Sequence, residues 1–215
     1  MNILTDTQRL FLDQFKSSAL NEYFYFTNGT ALSEFYLKHR YSHDLDFFTK
    51  HKEALDINTI ISFLKSLPHI RKIKYEKIYD RRLFFLEFAN DSLKVEFSFY
   101  PFEQINKCII IEGLRVDSFD DLFVNKIAAL IDRDEEKDLI DLYFILNSKD
   151  ENYLFRGLEK VKEKFGIDGA QYIIQRKFAN VPENLENVPY LIKPLEYYKQ
   201  FFEQKAIQIA KKFWK

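Results

Sequence analysis

The stretch that decides the fold is Tyr23–Phe48, YFYFTNGTALSEFYLKHRYSHDLDFF. Residues 23–27 are aromatic and β-prone and predict a strand. Asn28-Gly29-Thr30 interrupts it, and residues 30–38 have helical character. Residues 44–48, DLDFF, predict a second strand. A strand, a tight turn and a helix in succession is an arrangement in which backbone N–H groups can face an anion. In a strand, residues i and i+2 project from one face, so Asp44 and Asp46 stand side by side while Leu45 and Phe47 turn to the core. Two adjacent carboxylates repel each other unless a positive charge sits between them. A hard divalent cation such as Mg²⁺ (or Mn²⁺) answers that need, because it prefers oxygen ligands and is commonly held by one or two carboxylates plus substrate phosphates.

Asp-x-Asp alone is a weak signal, and the rest of the chain supplies context. Upstream, residues 5–20 predict an amphipathic helix with Leu10, Phe11 and Phe15 on one side. Downstream, a helix is expected at 57–67, ended by Pro68. Residues 70–79 and 82–89 read as a hairpin. Residues 93–100, LKVEFSFY, alternate cleanly: Val95, Phe97 and Phe99 share one face, and Lys94, Glu96, Ser98 and Tyr100 the other. One more strand is expected at 108–112.

The pattern changes after Val116. Ser118 followed by Asp121 resembles a capping box, and helical periodicity continues through Leu146 with a break near Asp132–Glu135. Helices are also expected at 168–178 and about 190–214. The reading is an α+β chain, with a mixed sheet and flanking helices over residues 1–116 and a helical part over 117–215.

Glu96, on the polar face of its strand, is a candidate third carboxylate for two metals; taken alone, it reads as an exposed strand residue. Arg40 is a candidate bidentate phosphate clamp or a salt-bridge partner. Lys126 stands among Ile127, Ala128 and Leu130, more apolar company than a routine surface lysine keeps. Asp138 and Asp141, at i and i+3, share a helix face. His39 and His43, just ahead of the Asp pair, are candidates for a metal or a phosphate role. Cys108 reads as a core residue, as do the aromatics Tyr23 to Phe26. The basic run at 65–82, which includes Lys65, Arg71, Lys72, Lys74, Lys77, Arg81 and Arg82, could track an RNA backbone or form an ordinary solvated hairpin.

Composition sets the outer bounds. The 215 residues carry 32 basic and 33 acidic side chains for a net charge of −1, which gives no global sign of a dedicated nucleic-acid binder. Gly and Pro number five each, which favours long regular elements over elaborate loops. The single cysteine excludes an intrachain disulfide. No signal peptide and no apolar run of about 20 residues is read, so the expected compartment is the cytoplasm, with no membrane partner.

Two separate motifs resemble the AbiEii/AbiGii-type nucleotidyltransferases, toxin-like members of the polymerase-β nucleotidyltransferase superfamily. The first is Asn28-Gly29-Thr30-Ala31-Leu32 with Arg40, Ser42 and Asp44-Leu45-Asp46-Phe47-Phe48. The second, within residues 120–146, comprises Lys126, Arg133, Lys137, Asp138, Asp141, Leu142 and Tyr143. The resemblance implies a polymerase-β-type fold whose helical part contributes to the active-site cleft, and transfer of an NMP from an NTP substrate. It implies nucleotide contacts at Asn28, Gly29, Thr30, Arg40 and Ser42, metals on Asp44, Asp46 and Glu96, a triphosphate contact at Lys126 and a supporting role for Asp138. The family usually has Gly where this chain has Asn28, a residue that tolerates a left-handed backbone. The acceptor it suggests is the 3′ end of tRNA or another RNA, and the partner a cognate antitoxin. Transfer to a protein hydroxyl, or a binding partner that keeps the fold without turnover, are the alternatives; fold alone does not choose among them.

Overall fold

The computed structural model describes residues 3–187 and 192–214. The chain divides into two compact units, Met1–Phe119 and Asp120–Lys215.

The first unit opens with helix α1, Asp6–Phe15, whose N-terminus is closed by a reciprocal capping box between Thr5 and Gln8. The expected helix over 5–20 stops early. Ser18 donates its hydroxyl to the carbonyl of Phe15 at 2.7 Å, and the chain turns into the short helix α2, Leu20–Tyr23. Strand β1 therefore begins at Tyr25 and runs to Thr27. Phe24, Tyr25 and Phe26 are buried, but Tyr23 is 45% exposed, so the core reading fails for that residue. Helix α3, Asn28–Leu32, starts directly from the strand and runs on as a π-helical turn at Ser33–Leu37.

Strand β2, Asp44–Thr49, and helix α4, Ile57–Ser66, follow. The expected hairpin is formed by β3, Lys72–Ile78, and β4, Arg81–Glu87, and β5 spans Ser92–Phe99. The strand expected at 108–112 is a hairpin instead: β6, Ile109–Ile111, turns through Glu112 and Gly113 into β7, Leu114–Val116. Glu112 at φ 50° and Gly113 at φ 86° supply the left-handed backbone that a two-residue hairpin needs.

Among the described residues, seven strands form one sheet in the order β3-β4-β5-β2-β1-β7-β6. β2 lies between β1, antiparallel, and β5, parallel, and β7 runs parallel to β1. The sheet is mixed, and its centre is β2.

One face of β2 makes the core. Phe47 is fully buried, with its ring 4.1 Å from Phe15, 5.2 Å from both Phe26 and Phe97, and 5.9 Å from Phe11. Strand alternation that buries Leu45 and Phe47 leaves Asp44 and Asp46 half-buried on the opposite face. The aromatic cluster thus fixes the orientation of the carboxylates, since a one-residue slip would exchange the two sets.

The second unit is helical: α5, Phe119–Asp132; α6, Glu136–Asn147; α7, Tyr153–Phe165; α8, Ala170–Ala179; and α9, Leu195–Phe213. Residues 190 and 191 of the expected last helix lie outside the described residues. Helix α7 was not expected. It buries Leu154, Leu158 and Val161 on one face, and at Gly157 an added Cβ would stand 2.3 Å from the Phe123 ring, so glycine permits close contact with α5. α8 and α9 pack through Phe178 and Phe202, with ring centroids 4.6 Å apart. Among the described residues, no helix is long and apolar enough to cross a membrane.

Phe47→Ala removes the ring shared by four aromatic neighbours. The expected cost is about 3–5 kcal/mol, read as a fall in the urea midpoint; a loss below 1 kcal/mol would show that β2 is not the centre of the core.

Candidate active site

The polar face of β2 is extended on both sides by strand register. Asp46 is paired with Thr27 across β1 and with Glu96 across β5; Asp44 is paired with Lys94. In-register partners project to the same face, so Asp44, Asp46, Lys94 and Glu96 form a patch on one surface. The carboxylate of Asp46 feels burial and two negative neighbours. Burial is the largest cause, followed by the charges of Glu96 and Asp44, and together they push the carboxyl up to about 6. Lys94 and a side-chain hydrogen bond from Asn28 act in the opposite direction.

The other two carboxylates carry their own cations. Lys94 Nζ lies 2.6 Å from Asp44 Oδ2, a pair with both members about one-third exposed, at 33% and 38%. Glu96 is only 7% exposed and is gripped by Arg81, whose Nε and Nη2 each donate at 2.6 Å. Ser98 donates its hydroxyl to Glu96 Oε1 at 2.6 Å. Burial works against the charge of Glu96, but the bonds from Arg81 and Ser98 outweigh it and hold the carboxyl below its ordinary value.

The turn beside this patch is tightly built. Asn28 stands at φ 62°, a left-handed conformation that Asn tolerates and most side chains do not. Thr30 is buried and donates its hydroxyl to the carbonyl of Asp44 at 2.5 Å, tying the start of α3 to the start of β2. Gly29 has no room for a side chain: a Cβ would stand 2.5 Å from Arg40 Nη2 and 3.3 Å from Ser42 Oγ. Arg40 is buried and donates from Nη1 to the carbonyl of Tyr41 at 3.0 Å. The carbonyls of Ser42 and His43 accept from the buried amide of Gln8, at 2.8 and 3.1 Å, so α1 pins the loop that leads into β2.

The first unit therefore brings together Asn28, Gly29, Thr30, Arg40, Ser42, Asp44, Asp46 and Glu96. His39 is buried with Nδ1 3.5 Å from Ser33 Oγ, and His43 is exposed. Among the described residues, no three His, Cys, Asp or Glu side chains are grouped closely enough to hold a metal ion. Cys108 is half-buried, 3.0 Å from Gln104 Nε2, and is not the core residue expected. Three contributors were not singled out from sequence: Lys94, Arg81 and Gln8. Lys94 was visible on the polar face of its strand, but its pairing with Asp44 depends on the non-local register of β2 with β5. Arg81 read as one of a run of surface cations.

In the second unit, Lys126 is buried between Asp138, at 2.7 Å, and Asp141, at 2.6 Å, both fully buried. Arg133 reaches Asp138 Oδ2 from Nε at 2.9 Å. Burial tends to raise the Asp138 carboxyl, but the charge of Lys126 and the hydrogen bonds from Arg133 and Lys126 hold it below its ordinary value. Lys126 is no routine surface lysine, and the helix face that Asp138 and Asp141 share is buried.

Residues 10–207 match the family described as nucleotidyl transferase AbiEii toxin, type IV TA system. The chain belongs to this family. It is an AbiEii-family nucleotidyltransferase, and its mixed sheet with flanking helices is the fold of that class. It is 29% identical to an uncharacterized protein of Aquifex aeolicus (strain VF5) over 213 residues, covering 96% of this chain and 97% of that one. A solved Helicobacter pylori structure, described as a candidate nucleotidyltransferase, superposes with a TM-score of 0.62 at 21% identity, covering 97% of each chain. A second Helicobacter pylori structure, JHP933, gives 0.59 at 21% identity, covering 95% of this chain and 89% of that one.

Two tests follow from the charges. The Asp46 carboxyl lies above its unfolded value of 3.8, at about 6. The folded chain therefore binds a proton that the unfolded chain has lost between those values, and stability falls as pH rises through this window. Asp46→Asn is expected to stabilise the metal-free protein by roughly 1–3 kcal/mol at pH 8, a gain that fades below pH ~4; urea titrations across pH that give no gain at pH 8 would contradict the electrostatic account. Lys126→Ala leaves two buried aspartates without their central cation and is expected to cost about 3–5 kcal/mol. Lys126→Ala/Asp138→Asn/Asp141→Asn should recover much of that loss in the same assay.

Proposed function

We propose that this AbiEii-family enzyme transfers an NMP from an NTP to the 3′ end of tRNA or another RNA, as the toxin partner of a cognate antitoxin in the cytoplasm. The observation that carries this reading is the placement of Asp44 and Asp46 on one face of β2, against the Asn28-Gly29 turn, with the Asp46 carboxyl pushed up to about 6 by burial and its acidic neighbours. Such a pair holds more negative charge than its surroundings neutralise, and a divalent cation relieves it.

The donor set fits Mg²⁺ or Mn²⁺: carboxylate oxygens, with no thiolate. Asp44 and Asp46 would hold the ion. Lys94 gives way at Asp44, since a partly exposed ion pair is worth only about 0–1 kcal/mol. When bound, the ion supplies Lewis-acid polarisation of a phosphoryl oxygen and neutralises charge in transfer.

This chain's own residues do the rest. Gly29, with no Cβ, lets the Arg40 guanidinium pack against the turn, where Arg40 supplies a fixed cation for a phosphate. Ser42, on the same side of Gly29, offers a hydroxyl. Thr30 holds the turn to β2 rather than spending its own hydroxyl on a phosphate. Asn28 keeps an amide donor on Asp46. In the helical unit, Lys126 and Asp138 belong to the second motif, where Lys126 is proposed to serve the triphosphate and Asp138 to fix its ammonium.

The test is label transfer. Wild type and Asp44→Ala/Asp46→Ala are incubated with Mg²⁺ and one α-labelled NTP at a time, with and without bulk tRNA, and products are resolved on RNA and protein gels. Wild type is expected to label tRNA, and the double variant to lose at least ~10³-fold in rate while keeping its circular dichroism spectrum. Label on protein instead would redirect the acceptor to a protein hydroxyl, and no label with any NTP would overturn the reading.

A further inference from the structure

The register of the sheet places three carboxylates beside one another, Asp44, Asp46 and Glu96, but the structure treats them differently. Glu96 is taken. Both of its oxygens face the Arg81 fork at 2.6 Å, and Oε1 also accepts from Ser98 at 2.6 Å. Glu96 is 7% exposed while the Arg81 side chain is 51% exposed, so what sets this pair apart is the buried carboxylate and its three donor contacts, not a buried cation. A bidentate guanidinium matches a carboxylate in both charge and shape, and Arg stays protonated throughout the accessible pH range. Among the described residues, Asp44 is held by the single ammonium of Lys94, and both groups reach solvent. Asp46, between them, has an amide donor from Asn28 and is the carboxylate whose charge is least compensated.

The fork is also local. Arg81 is the first residue of β4 and lies opposite Ser98 on β5, one pleat from Glu96. It reaches Glu96 diagonally on the polar face of the sheet, so the bond is fixed by strand pairing and not by a mobile loop.

We infer that Arg81 is a positioning residue that withholds Glu96 from metal coordination, so that the protein itself holds one divalent cation, on Asp44 and Asp46, and not two. This rests on the metal-dependent reading above. Lys94 is then the exchangeable counter-ion, which leaves Asp44 when the divalent ion arrives. Arg81 is the permanent one, which occupies with a protein cation the position a second metal would take and keeps Glu96 as a fixed negative charge behind Asp46.

Mn²⁺ binding to the full chain, counted by the loss of the free-ion electron paramagnetic resonance signal, tests this without recourse to turnover. Wild type should bind one Mn²⁺ per chain. Glu96→Gln should still bind one, with affinity lowered by about 10–100-fold, because it removes a nearby charge but no ligand. Asp46→Asn should lose the ion. Arg81→Gln should tighten the first ion by roughly tenfold and create a second, weaker site as Glu96 is released. Should Arg81→Gln fail to fold, Arg81→Gln/Glu96→Gln removes both charges while keeping their volume, and should bind one ion as wild type does. Two ions on wild type, or loss of the ion in Glu96→Gln, would overturn the inference and leave the metal reading standing. No ion on wild type, or unchanged binding in Asp46→Asn, would overturn the metal reading and this inference with it.

Discussion

Like charges held at fixed spacing are the constraint around which the first unit is arranged. The aromatic cluster beneath β2 sets its pleat, and the pleat sets Asp44 and Asp46 upward together. Parallel pairing with β5 adds Glu96 next to Asp46. The patch is answered in part, and the answers come from different distances in sequence. Asn28 lies at the end of the neighbouring strand, Lys94 across the sheet, and Arg81 one strand further still. The geometry of the core and the electrostatics of the surface are in this sense one problem, solved by one register.

The helical unit solves a related problem by different means. Lys126, Asp138, Asp141 and Arg133 form a set of two cations and two anions, three of them buried. Here the charges balance within the unit, so the cluster is stable as it stands. In the sheet the balance is incomplete at Asp46, and a carboxylate under tension is the kind of group found where a ligand is bound.

Local signals carried most of what could be read from sequence. The alternation of residues 93–100 assigned the faces of β5, and the Asn28-Gly29 break located the turn, because both depend on neighbours in the chain. The two family motifs were equally local. The Lys94–Asp44 pair was hidden because β2 with β5 is a parallel pairing between strands far apart in sequence, and the Arg81–Glu96 fork because it depends on the register of β4 against β5. Strand β7 was missed although Glu112-Gly113 marks a hairpin turn. Helix α7 was missed although Leu154, Leu158 and Val161 follow helical spacing; Gly157 lies within it, and that glycine makes sense only against Phe123 of another helix.

The open sheet has two free edges, and they are guarded differently. β3 is seven residues long, enough to template another strand, but it carries Lys72, Lys74 and Lys77 along its length. β6 shows Ile110 at 64% exposure yet is only three residues long, too short to offer a sustained ladder. Charge protects the long edge and brevity the apolar one. The sheet that presents the carboxylates can thus stay open at both sides without inviting edge-to-edge aggregation, and lengthening β6 would remove a safeguard that costs the chain no side chain at all.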